Sequence, residues 1–120
     1  MAEPTINPNS ILQSVRKVMC GSEFANEFDT DLIMHINTVF NILTQLGAGP
    51  ANGFAIAGDT EVWSAFTSNN VLLNCVKSYV YLKVRLMFDP PANQSLISSM
   101  ENYIHELEWR INVTVDRGTT

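Results

Sequence analysis

The side chains best suited to chemistry in this 120-residue sequence are two histidines, two cysteines and a run of acids near the C-terminus. His35 falls on the edge of one apolar helical stripe, and His105 on the polar side of another. Neither stands at a metal-ligand spacing, because the sequence holds no Cys-x-x-Cys and no His-Glu-x-x-His. Cys20 and Cys75 are 55 positions apart and read as free thiols. Glu101, Glu106 and Glu108 share a predicted helix with Arg110. Carboxylates do acid–base work when a cleft splits their pKa values, and these three read as a solvated face. The glycines between Gly47 and Gly53 suggest a phosphate loop, but the stretch follows a helix, opens none and carries no lysine. No Gly-x-Ser-x-Gly elbow is present. The residues therefore predict no catalytic site, no metal and no cofactor.

Two residues break the pattern in a way that points to association. Lys83 falls inside an apolar arc, near Val76 and Tyr79 in projection. An unpaired buried ammonium is expensive, so it must snorkel along its stem, meet a carboxylate or face a neighbouring subunit. Trp109 projects about 180° from the middle of its helix's apolar stripe, beside His105 and Arg110. Trp and Arg are enriched at interface hot spots. Together with Arg85 on the same helix as Lys83, these residues make a candidate subunit interface of Trp109, Arg110, Lys83, Arg85 and His105.

Helices separated by breakers must position these groups. The first is predicted from about Asn9 to Met19, with Asn7 as cap, Pro8 at the first helical position and Ile11, Leu12, Val15, Val18 and Met19 on its apolar side. Gly21 supplies its stop, and Phe24 and Phe28 anchor the linker. The second runs from about Thr30 to Leu46 behind Asp29 as cap. Its stripe is Leu32, Ile33, Ile36, Val39, Phe40, Leu43 and Leu46. Phe54 to Ile56 reads as a short extended piece, and Asp59 as the cap of a brief helix carrying Trp63 and Phe66. The helix from about Asn70 to Phe88 carries two adjacent apolar stripes, one of Leu73, Val76, Val80, Val84 and Met87, the other of Leu72, Cys75, Tyr79, Leu82 and Leu86. A helix apolar around most of its girth is covered on several sides, so it is the expected centre of the fold. Asp89-Pro90-Pro91 ends it. The last helix is predicted from about Gln94 to Asn112, capped by Asn93, with Leu96, Ile97, Met100, Ile104, Leu107 and Ile111 inward. The expected class is all-α: a small bundle of four to five helices spanning residues 1–112, followed by an extended, loose tail, 113–120.

The mass of 13.4 kDa is that of one domain, and at 46% hydrophobic residues it carries enough apolar matter for a core. A domain this small buries only about two-thirds of its unfolded surface, which favours association. Seven basic residues against twelve acidic give a net charge of −5 and a pI near 4.8. A nonspecific nucleic-acid binder is usually basic. No apolar run approaches the roughly 18 residues of a membrane span. The N-terminal Met-Ala-Glu-Pro-Thr is not a secretory signal, so synthesis in the cytoplasm is expected.

Two linked segments resemble a known family. They are Lys77-Ser-Tyr-Val-Tyr-Leu-Lys-Val-Arg-Leu-Met-Phe-Asp-Pro-Pro91 and Met100-Glu-Asn-Tyr-Ile-His-Glu-Leu-Glu-Trp-Arg-Ile-Asn-Val113. They are similar to the head–tail connector, or adaptor, proteins of siphophages. The run from Asp31 to Pro50 and the segment around Trp63 are similar to the same family, so the likeness extends from about Ile11 to Val113. It implies a structural virion protein that forms a ring, usually twelve-fold, beneath the portal protein. Such a ring extends the channel through which double-stranded DNA passes without sequence-specific binding. It also presents a surface to the stopper or tail-completion protein. The family fold is a small helical bundle whose C-terminal tail commonly contacts the portal, which here points to Val113, Thr114, Val115, Asp116 and Arg117. Residues 89–120 carry Asp89, Glu101, Glu106, Glu108 and Asp116 against Arg110 and Arg117, an acidic bias suited to a wall that repels phosphate. The alternatives are a helical interaction or regulatory module and another neck or tail-completion component.

Overall fold

The structure is a computed structural model that describes residues 7–20 and 27–116. Within them lie five helices: α1 (Ile11–Cys20), α2 (Asp29–Gln45), α3 (Trp63–Phe66), α4 (Asn70–Phe88) and α5 (Gln94–Asp116). No strand forms among the described residues, and the one β-bridge pairs Ser10 with Val62. The fold is all-α, as expected. Gly21 and Phe24 lie outside the described residues.

The helix of two stripes is central. α4 packs on α1, α2 and α5 and buries Leu72, Val76, Tyr79, Val80 and Val84. Asn69 Oδ1 opens it by accepting from the N–H groups of Val71 and Leu72 at 3.0 and 3.2 Å. Asn93 caps α5 in the same way, accepting from Ser95 and Leu96 at 2.8 and 3.2 Å. Such caps satisfy donors that have no partner inside the helix.

Three other expected caps are not the caps. Gln13 N–H donates to Ser10 Oγ at 3.2 Å, so Ser10, not Asn7, starts α1, and Pro8 sits in the turn before it. Asp29 lies inside α2, not ahead of it. Its carboxylate is taken by Arg16, with Nε to Oδ1 at 2.9 Å and Nη2 to Oδ2 at 2.8 Å. That two-point ion pair ties the end of α1 to the start of α2. Asp59 does not cap α3. It accepts from the Ser10 hydroxyl at its carbonyl, 2.7 Å, and from Gln13 Nε2 at its carboxylate, 3.2 Å.

The 54–56 segment is not a strand because a side chain supplies its pairing. Asn37 Nδ2 donates to the Ile56 carbonyl at 3.0 Å, and Asn37 Oδ1 accepts from Ile56 N–H at 2.8 Å. Phe54 then enters an aromatic corner with Phe40, Phe66 and Trp63, whose ring centroids lie 5.0 to 6.3 Å apart along its contacts. Trp63 is fully buried, and its indole N–H donates to Ser14 Oγ at 3.0 Å. Gly49, at φ +78°, presses on Phe66 so closely that a Cβ would lie 2.4 Å from the ring.

The C-terminal end differs from the extended tail expected from residue 113. α5 continues through Val113, Thr114 and Val115 to Asp116. Val115 is half-buried against the core, and a Cβ on Gly47 would meet its Cγ1 at 3.1 Å. Packing overrides the weak helix propensity of these β-branched residues. Val18, Met87 and Leu96, expected inward, are 52%, 38% and 49% exposed. Each sits at or near a helix end, where the stripe outruns the neighbour that covers it.

Candidate functional site

The antiparallel seam of α4 and α5 gathers part of the expected interface. Tyr79, buried on α4, donates its phenol to Glu108 Oε2 on α5 at 2.7 Å. Glu108 Oε1 lies 3.4 Å from His105 Nδ1. Lys83 Nζ stands 5.9 Å from the centroid of the Tyr79 ring. Burial, and then the hydrogen bond to the Glu108 carboxylate, pushes the Tyr79 phenol well above its ordinary pKa. Lys83 and His105 thus meet around a tyrosine–glutamate pair that joins the two helices. Lys83 resolves its conflict within the chain by lying half-buried with its ammonium over the aromatic ring.

The other candidate residues divide. Trp109 is 65% exposed on the outer face of α5, as its position opposite the stripe predicts. Arg110 Nη2 reaches back one turn to Glu106 Oε1 at 3.2 Å, an exposed i,i+4 pair of the kind that contributes about 0.3–0.5 kcal/mol. Arg85 does not join this group, since its Nε donates to the Asp89 carbonyl at 2.6 Å and closes the end of α4. Of the residues expected to contact the portal, Val113 to Asp116 form the last turn of α5, and Arg117 lies outside the described residues.

A second surface was not apparent in the sequence. Pro8, Ser14, Lys17, Val18 and Tyr81 line an open groove of about 490 Å³ between α1 and α4. Its Tyr81 wall rests edge-on against the buried Trp63, centroids 6.1 Å apart. Lys77 Nζ lies 5.8 Å from the same Trp63 ring. The signal was divided between two helices. Val18 read as core.

A third, wider groove of about 700 Å³ is lined by Met19, Cys20, Phe28, Asp31, His35, Phe88 and Asp89. It holds a thiol and an imidazole but no nucleophile–base pair. Burial raises the Cys20 pKa against the opposing pull of Arg16, which keeps the thiol protonated. His35 stacks edge-on near Phe88 at 6.5 Å. Among the described residues no three His, Cys, Asp or Glu side chains form a group able to hold a metal ion. No helix there is long and apolar enough to cross a membrane.

These surfaces have the chemistry of contact. The phage connector protein family matches residues 11–118. The chain belongs to that family. No significant match is found among curated proteins or among solved structures. Membership makes the connector a structural component of the phage particle at the junction of head and tail, where its interactions are with other head and tail components. The exposed residues of the connector are accordingly best weighed as contacts between proteins.

Proposed function

We propose that this connector is the subunit of a homo-oligomeric ring, twelve-fold by resemblance, that sits beneath the portal protein, prolongs the DNA channel and offers a docking surface to the stopper or tail-completion protein. The reading is carried by the family match across residues 11–118. A tied bundle that leaves Trp109, Tyr103 and Leu96 of α5 exposed supports it, because repeated heterologous contacts close into a ring when the rotation between subunits closes. The net charge of −5 supports passage of DNA, since a negative wall repels phosphates and holds none of them.

Portal contact is assigned to the end of α5 and the residues that follow. The candidates are Val113, Thr114, Val115, Asp116 and Arg117, of which Val115 also packs close to Gly47. Truncation after Asp116 keeps α5 whole. Loss of portal binding with unchanged helical circular dichroism is the expected result, and full binding by the truncated chain would remove residues 117–120 from the contact. Electron microscopy of the connector with its portal tests the whole reading. A ring at the portal's tail-facing end is expected, and a portal that emerges bare overturns it.

A further inference from the structure

The α1–α4 groove and the outer face of α5 are complementary in charge. Lys17, which lines the groove, and Lys77, which lies over the Trp63 ring that the groove's Tyr81 rests on, enter no ion pair among the described residues, whose ion pairs are Arg16–Asp29, His105–Glu108 and Arg110–Glu106. Val18 is 52% exposed between them and the Tyr81 wall. One turn before Lys17, Gln13 donates its Nε2 to the Asp59 carboxylate. The Lys17 ammonium beside a small apolar trough, with Lys77 close by over the Trp63 ring, suits an aromatic side chain with carboxylates beside it.

The outer face of α5 has that composition. From residue 101 onward the helix carries Glu101, Glu106, Glu108 and Asp116 against Arg110 alone. Trp109 is the most exposed aromatic among the described residues, at 65%. Glu106 precedes it by three residues and Asp116 follows by seven, so all three share one line of the helix. Arg110 holds Glu106 only through an exposed pair, which exchanges readily for a partner in a drier site.

We propose that Trp109 of one copy seats in the Lys17–Val18–Tyr81 groove of the next, with Glu106 and Asp116 meeting Lys17 and Lys77. Knob and groove lie on different helices of the same chain, so the contact is head-to-tail and repeats around a closed ring. The inference rests on the ring reading above and adds the surfaces that build it.

The test is sedimentation velocity of the full chain, alone and with the portal ring, using two surface variants. Trp109→Ala removes the knob and keeps the groove. The double variant Lys17→Glu, Val18→Asp spoils the groove and keeps the knob. Each by itself is expected to lose at least about tenfold in self-association, the scale of a hot-spot truncation. Mixed one to one, they are expected to form dimers and nothing larger, since a knob from one meets an intact groove on the other and no further contact is available. That dimer also shows that both variants are folded. Wild-type assembly with both variants assembling normally overturns this contact and leaves the ring reading standing. A wild-type chain that stays monomeric with and without the portal overturns both. Groove variants that assemble normally but lose binding to a fluorescent 20-base-pair DNA duplex would assign the lysines to nucleic acid, and the contact between copies would fall.

Discussion

The two tryptophans of this chain are used in opposite ways. Trp63 is fully buried, touches Phe40 and Tyr81 edge-on, and places its one polar atom on Ser14. Trp109 leaves most of its ring in water and has no aromatic neighbour among the described residues. An indole carries a large apolar area with one donor, so it stabilises whatever encloses it. Inside the aromatic corner that partner is the chain's own core. On α5 the fold leaves the place open. The contrast separates the residues that make the bundle from those available to join it to something else.

Four substitutions test that separation. Trp63→Ala should destabilise the fold by about 3–5 kcal/mol, the range for emptying a buried aromatic site, measured by urea denaturation. A loss below about 1 kcal/mol would mean the corner is not the anchor described. Gly49→Ala should follow at about 2–4 kcal/mol, from a side chain forced to positive φ and from overlap with Phe66. A crystal structure of that variant with Phe66 unmoved would contradict the close approach.

Tyr79→Phe should lower stability by about 1 kcal/mol, because it deletes one hydrogen bond to a carboxylate that still reaches water. The pH dependence has a fixed sign. The folded pKa of Tyr79 is raised, so its contribution is complete below the unfolded tyrosine value of about 10 and declines as pH rises beyond it. Alkaline denaturation above pH 10 should be less steep in the phenylalanine variant, and identical slopes would exclude Tyr79 as a source. Trp109→Ala should change folding stability by no more than about 0.5 kcal/mol while weakening assembly. An equal loss in both tryptophan variants would erase the contrast.

Periodicity was enough to read α4 and most of α5. The middles of their stripes, the Asn93 cap and the outward Trp109 follow from local spacing, because a helix fixes which residues share a face. The capping roles of Asn7, Asp29 and Asp59 could not be read the same way. Each has side-chain chemistry that suits a cap, but Arg16 takes Asp29, while Ser10 and Gln13 take Asp59. These partners are fixed by tertiary structure. The end of α5 escaped for the same reason, since nothing near Val115 in sequence announces Gly47. The groove escaped because Ser14, Lys17 and Val18 come from α1, and Tyr81 from α4. The outward Trp109 was legible as a residue type out of place. The groove proposed to receive it was not, because a groove belongs to no single helix.

The seat of Val115 on Gly47 turns α5 into a strut pinned at both ends, by the Pro90–Pro91 turn at one and the C-terminal corner of α2 at the other. Trp109 stands between these supports. A load applied there is shared by the two pins, so the α4–α5 hairpin would tilt as one piece before the helix end could peel away.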